Sequence, residues 1–321
     1  MTISWSDLPE DVKRIIVEPL NRIDRGTLRQ CSWTDKLFID SVSKPIREIN
    51  FTAFRSYIHI KYDEEFRDSF EISEGTAVVK RSQNWNTFST FSMNENFQTV
   101  AWRSLQKMLK RQDDEIDTLN FSFISSMNFG ANGNEPERIL PNLPEEIIKV
   151  RCFSISQDAS DEMTKRIVKF AKPGIENLDI SMTVKNVTVS SDIGDLEQVK
   201  TAKKLHSRLM STFEQSLKFE GEEIANKSAL LTDENIVELL KKSFSTGKPS
   251  KFFYQRMWPD IPKIVSSFDS IPWSIETSGK FENLREEFKV NLAKKNFILS
   301  QKGVSLFAEF DNFSVYGFLL K

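Results

Sequence analysis

Three segments of the chain share one apolar spacing. Ile116-x-x-Leu119-x-Phe121, Ile147-x-x-Val150-x-Cys152 and Ile175-x-x-Leu178-x-Ile180 each read apolar-x-x-apolar-x-apolar, with starts 31 and then 28 residues apart. The alternation at the end of each segment is the period of a strand with one covered face. Helical patterns lie between and around them, in FQTVAWRSLQKMLKRQ and SDEMTKRIVKFAKPG. A unit of one strand and one helix cannot bury its apolar side alone. Such units stack, with strands side by side and helices outside.

The spacing predicts a leucine-rich-repeat-like α/β body over residues 96–260, near the upper repeat length for that architecture. The asparagine or cysteine that regular repeats carry after the last apolar position is missing. A non-repeating α+β domain with coincidental spacing remains the alternative. Further along, DLEQVKTAKKL reads as a helix leading to a strand within 205–220. LTDENIVELLKKSF reads as a helix leading to the strand KFFYQRMW. Thr232 is an N-cap residue there, and Asn235 stands where a capping box places Glu or Gln. Residues 48–95 are a strand-rich connecting segment, with β-branched and aromatic runs separated by charged or glycine punctuation. Residues 261–321 end in KKNFILS, VSLFAEF and VYGFLLK, expected as hairpins turning at Gln301–Gly303 and at Asp311–Asn312 and forming a terminal antiparallel β cap.

Residues 1–47 form a separate small all-α unit of three helices. Ser6 or Asp7 is placed to cap the first, with Pro9 in its first turn, where a missing N–H costs nothing. Val12, Ile15 and Ile16 recur at helical spacing, and Pro19 ends or kinks this helix near Val17 or Glu18. Asp24 opens a second helix with Leu28 and Cys31 inward. Thr34 or Asp35 caps a third with Leu37, Phe38 and Val42 apolar, and Pro45 closes the unit. Some forty residues are marginal alone, so a partner surface is expected to complete it. The fold class expected overall is α+β.

Composition and motif counts narrow the function. A formal net charge of -2 argues against a nucleic-acid or anionic-membrane field. Lys200, Lys203 and Lys204 fall on one side of a predicted helix, and a basic helix face of this size is ordinarily solvated. Two isolated cysteines, Cys31 and Cys152, suit a reducing compartment, and the N-terminus shows no signal-peptide pattern. A cytoplasmic or nuclear setting is therefore expected, no membrane span is read, and the sequons at Asn50, Asn120, Asn186, Asn226 and Asn312 are taken as chance matches. Catalytic chemistry finds little support. His59 and His206 have no metal-ligand spacing, Cys152 reads as a small core residue, Gly130 and Gly133 read as a loop, and Asp113–Asp114 and Glu222–Glu223 read as solvated turns. No cofactor and no metal is called for, and a small-molecule enzyme is the remote alternative.

With these residues in hand, the N-terminal unit resembles an F-box. Leu8-Pro9-x-x-Val12-x-x-Ile15-Ile16, then Leu20, follows that family's opening. Asp24-Arg25-Gly26-Thr27-Leu28-Arg29-Gln30-Cys31-Ser32 follows its second segment, with an ending similar to the nematode-expanded branch. Glu10 directly after Pro9 and Pro19 depart from the pattern and leave the apolar spacing intact. The body is similar to the FTH domain of those same proteins. The match lies at Asp195–Lys203, where Val199 replaces a Trp, at Leu231–Ile236 with Leu239, Leu240 and Ser243, and at Ile139–Pro141 and Lys172–Gly174.

The resemblance implies a substrate-recognition adaptor. The F-box binds a Skp-type adaptor, a cullin–RING ubiquitin ligase is engaged through it, and the FTH-like domain holds an unknown protein substrate. The interface residues it implies are Leu8, Pro9, Val12, Ile15, Ile16, Leu20 and Leu28. The competing expectation for Val12, Ile15, Ile16 and Leu28 is packing inside the unit. A ligase-independent scaffold or inhibitor of a protein partner is the second reading.

Overall fold

The computed structural model describes residues 5–124, 148–157, 161–181, 192–207, 212–227, 231–272 and 295–320, apart from single residues and short loops within those spans. The expectations on residues 139–141, on Asp113–Asp114, Gly130, Gly133, Ile147 and Asn186, and on the closing role of Pro45 lie outside them. The chain divides into two compact units, Met1–Ile46 and Arg47–Lys321.

In the first unit, a 3-10 turn at Trp5–Asp7 precedes α1 (Glu10–Val17), α2 (Arg22–Leu28) and α3 (Trp33–Ser41). Pro9 occupies the N-cap position of α1, with no side-chain cap, rather than its first turn. α3 is capped by Ser32, whose hydroxyl accepts from the Asp35 amide, and not by Thr34 or Asp35. A serine two residues before Thr34 reaches the orphan N–H groups of the first turn just as well, so composition did not separate the candidates.

The second unit is built on one sheet. β1 (Glu48–Phe54), β2 (Tyr57–Tyr62), β3 (Phe66–Ser73), β4 (Thr76–Gln83) and β5 (Asn86–Met93) form an antiparallel meander. α4 (Phe97–Leu109) then crosses back over β2, β3 and β4 and delivers the chain to β6 (Ile116–Ile124), parallel to β1. β7 (Val150–Gln157), β8 (Asn177–Ser181), β9 (Lys204–Ser207), β10 (Glu223–Asn226) and β11 (Lys251–Gln255) follow as successive parallel neighbours. Their connections carry α5 (Asp161–Val168), α6 (Glu197–Lys200), α7 (Phe213–Lys218) and α8 (Asp233–Thr246). After α9 (Ile261–Val265) come β12 (Asp269–Pro272), β13 (Lys295–Gln301), β14 (Val304–Phe310) and β15 (Ser314–Leu320). β15 pairs antiparallel with β11, so these strands extend the same sheet. Among the described residues the sheet has fifteen strands, with β12 and β5 at its edges.

Register shows where the core sits. Ile49, Leu119, Phe153, Leu178, Leu205, Ile224 and Phe252 lie in one row across seven parallel strands, all buried. On the same side Phe51 stacks on Trp102 of α4 at 4.4 Å between centroids. This row corrects the sequence pattern. Ile116 pairs with Val150, and Leu119 with Phe153, so the β7 segment equivalent to Ile116-x-x-Leu119-x-Phe121 is Val150-x-x-Phe153-x-Ile155. Cys152 consequently faces the other side, where it is half-buried and accepts from Asn177 Nδ2 at 3.3 Å. The helix read in DLEQVKTAKKL is confined to Glu197–Lys200, and Lys203 and Lys204 lie beyond it.

Two predicted local features are present. Thr232 and Asn235 form a reciprocal capping box on α8. The β13–β14 hairpin turns at Lys302 and Gly303, both at positive φ (52° and 79°), the backbone that a two-residue turn of this hand requires.

Candidate interaction site

The first unit holds itself together with few residues. Val17, Ile39 and Val42 form its buried centre, and Trp5, Leu20, Leu28 and Phe38 pack against them. Trp5 is fixed in place by an Nε1–H bond to Asp35 Oδ1 at 2.7 Å and an edge-on contact with Phe38. Hydrogen bonds from Ser32 and Trp5 hold the Asp35 carboxyl below its ordinary range. Arg25 is buried, and its guanidinium donates to the carbonyls of Val42 (2.6 Å), Glu18 (3.1 Å) and Leu20 (3.2 Å). One side chain of fixed fork geometry thereby satisfies helix-end carbonyls of both α1 and α3.

The apolar residues that remain point to solvent. Val12, Ile15 and Ile16 share one side of α1 at the i, i+3, i+4 spacing and are 39%, 70% and 40% exposed. Pro9 is exposed and Leu8 half-buried. Leu20 and Leu28 lie with the core instead. Among the predicted interface residues, then, Val12, Ile15 and Ile16 form one exposed stripe, while Leu20 and Leu28 are drawn inward. Trp33 and Leu37 on α3 are also exposed, with Lys36 Nζ 4.7 Å from the Trp33 ring centre. Sequence reasoning missed Trp33 and marked Leu37 only as apolar. The available signal was a third helix with more large apolar residues than so small a core can take. Cys31, expected inward, is exposed. Large apolar groups exposed in this density mark an interaction surface.

The body has a second distinctive surface. Opposite the helix-covered row, the sheet presents Asn50, Asn120, Ser154, Asp179 and His206 in register, all half-buried. Asn120 Nδ2 donates to Asn50 Oδ1 at 2.7 Å, a cross-strand amide link. Glu223, expected in a solvated turn, is a buried β10 residue. Its carboxylate sits between Lys204 of β9 (2.8 Å) and Lys251 of β11. Burial pushes that carboxyl up, and the two ammonium groups outweigh it and hold it below its ordinary range. Lys200 and Lys203 pair with Glu197 and Glu222, so the basic cluster is neutralised residue by residue rather than offered as one face.

Cys152 and His206 do not meet. In register, Cys152 aligns with Asn177 and His206 with Asp179, which puts them two strands apart, about 10 Å sideways. A cavity of ≈ 30 Å³ lies on the opposite side of the sheet, lined by Ile180, Leu205, Ile224, Phe219 and Asn226 among others. That is room for about one water molecule and not for a substrate. Asn226 is buried there and donates to Ser216 Oγ at 2.8 Å, which satisfies the amide from within the fold.

No curated protein and no solved structure matches the chain. Residues 5–47 match the family model of the F-box domain. Domains of that family generally mediate binding to Skp-type adaptors in Skp–cullin–F-box ubiquitin ligases. The unit of α1, α2 and α3, with its exposed Val12–Ile15–Ile16 stripe, is an F-box domain.

Proposed function

We propose that the chain is a substrate-recognition subunit of a Skp–cullin–F-box E3 ubiquitin ligase, working in the cytoplasm or nucleus and without catalysis of its own. The observation that carries this reading is the coincidence of the F-box match with the exposed α1 stripe. The adaptor-facing residues are Leu8, Pro9, Val12, Ile15 and Ile16, with Leu20 and Leu28 supporting them from the core. Burial of a few central apolar anchors supplies most of the affinity in such helix-face contacts. The second unit presents a protein substrate to the ligase. Its sequential parallel strands support reading it as a leucine-rich-repeat-like, FTH-type body. Its rows step unevenly along the chain, from Leu119 to Phe153, Leu178, Leu205, Ile224 and Phe252, so any repeat is irregular.

Reconstitution of the full chain with a Skp-type adaptor and a cullin tests this. A ternary complex that co-elutes is expected. Adaptor bound without cullin would move the chain to a ligase-independent scaffold, and no adaptor bound would remove the reading altogether.

A further inference from the structure

The two edges of the sheet are built differently. β12 is short, begins with Asp269 and ends with Pro272. Short length, charge and proline are the devices that keep an edge from pairing. β5 runs for eight residues, Asn86–Met93, and contains neither a charge nor a proline. It pairs with β4 on one side, and among the described residues no strand lies on its other side. A strand so placed presents a row of N–H and C=O groups to whatever approaches.

The charges of the neighbouring strand are already engaged. On β4, Lys80 pairs with Glu71 and Arg81 with Asp68. Arg81 also lies over the Phe91 ring at 5.1 Å, which steadies that side chain at the edge. Phe91 and Met93 lie opposite Val79 and Ala77, on the side of the sheet that α4 covers. Met93 is 36% exposed there. Thr90 and Ser92 point to the other side and are exposed.

We infer that β5 is a strand-addition site. An extended segment of a protein substrate pairs with residues 89–93 as a further strand. It sets apolar side chains at alternate positions against Phe91 and Met93, and small polar ones beside Thr90 and Ser92. The inference rests on the substrate-adaptor reading above. A second copy of the chain fits less well. The bulge between Arg81 and Ser82 interrupts the first half of the β4–β5 pairing. A self-paired stretch of 89–93 alone buries far less than the roughly 800 Å² per partner of a stable association. An extended peptide needs only main-chain bonds and side-chain sites at alternate positions.

The test pans random dodecapeptides, displayed on phage, against the full chain. Recovered peptides are expected to slow hydrogen exchange at residues 89–93. They are also expected to bind a Thr90→Lys/Ser92→Lys variant about 10-fold more weakly or worse, because charges then guard the edge. Both side chains are exposed, so the melting temperature should hold; if it falls, the exchange pattern on the unaltered chain decides. No peptide recovered, unchanged binding to the variant, or protection elsewhere without β5 would overturn the inference. So would a dimer of the chain that the variant dissolves. Adaptor binding is measured in parallel: its absence sinks the adaptor reading, while a peptide that protects β5 still supports strand addition.

Discussion

Arg25 Nη1 donates to the Val42 carbonyl at 2.6 Å, which ties the C-terminal end of α3 to the helix that carries the arginine. The same guanidinium holds Glu18 and Leu20 beyond the end of α1. Arg25→Ala would leave these carbonyls without their donor, at about 2–4 kcal/mol of local stability. Hydrogen exchange across α1 and α3 measures it. Protection should fall in residues 10–42 and hold in the sheet. Arg25→Lys should recover only part, since an ammonium lacks the fork.

Asp35 gives the F-box an acid-side weakness. Its folded carboxyl is held below the ordinary 3.8 by the bonds from Ser32 and Trp5. The stabilisation is therefore fully present above the ordinary carboxylate range. It starts to fade as pH approaches 3.8 and is gone below the folded value. Asp35→Asn keeps an acceptor for Trp5 and removes the titration. The variant should show a flatter loss of α3 protection between neutral pH and pH about 3 than the unaltered chain.

Removing Glu223 would strand Lys204 and Lys251 on the two strands that flank β10, with no carboxylate between them. Both ammonium groups are partly exposed, so water screens the loss. Glu223→Ala should cost about 2 kcal/mol, below the roughly 3–5 kcal/mol for breaking a fully buried pair. Urea unfolding of the full chain reads it, with most of the loss removed in a background of Lys204→Met and Lys251→Met.

Gly317 of β15 has no room for a side chain. A Cβ there would lie 2.0 Å from the Phe307 carbonyl oxygen, a backbone atom that cannot step aside alone. Gly317→Ala should destabilise by about 3 kcal/mol or more through displacement of β14 against β15. Thermal unfolding should show it, and Gly303→Ala, where a Cβ meets open space, should lose less through its left-handed φ of 79°.

Much of this architecture was legible where local chemistry agreed with the fold. The meander and the terminal hairpins follow β-branched and aromatic runs, and the α8 cap follows Thr232 and Asn235. The failures came where polar residues are buried with partners. β10 is buried at every position, yet two of its four residues are Glu223 and Asn226, so its pattern carries no apolar period. α7 before it is six residues long, too short for a period to emerge. The slip in β7 arose because Ile148, Val150, Phe153 and Ile155 are all buried, and so many apolar positions allow two alignments. In the F-box, sequence marked Val12, Ile15, Ile16, Leu20 and Leu28 alike. Only packing separates the exposed stripe from the residues around Val17.

The affinity of the full chain for a Skp-type adaptor, with and without Ile15→Asp, tests the central claim most directly. Ile15 is 70% exposed, so the substitution should leave stability within about 0.5 kcal/mol. If the α1 stripe is the docking face, titration calorimetry should show tight binding by the unaltered chain and a loss of about 100-fold in the variant. Equal affinity for both chains, or no binding by the unaltered one, would contradict it.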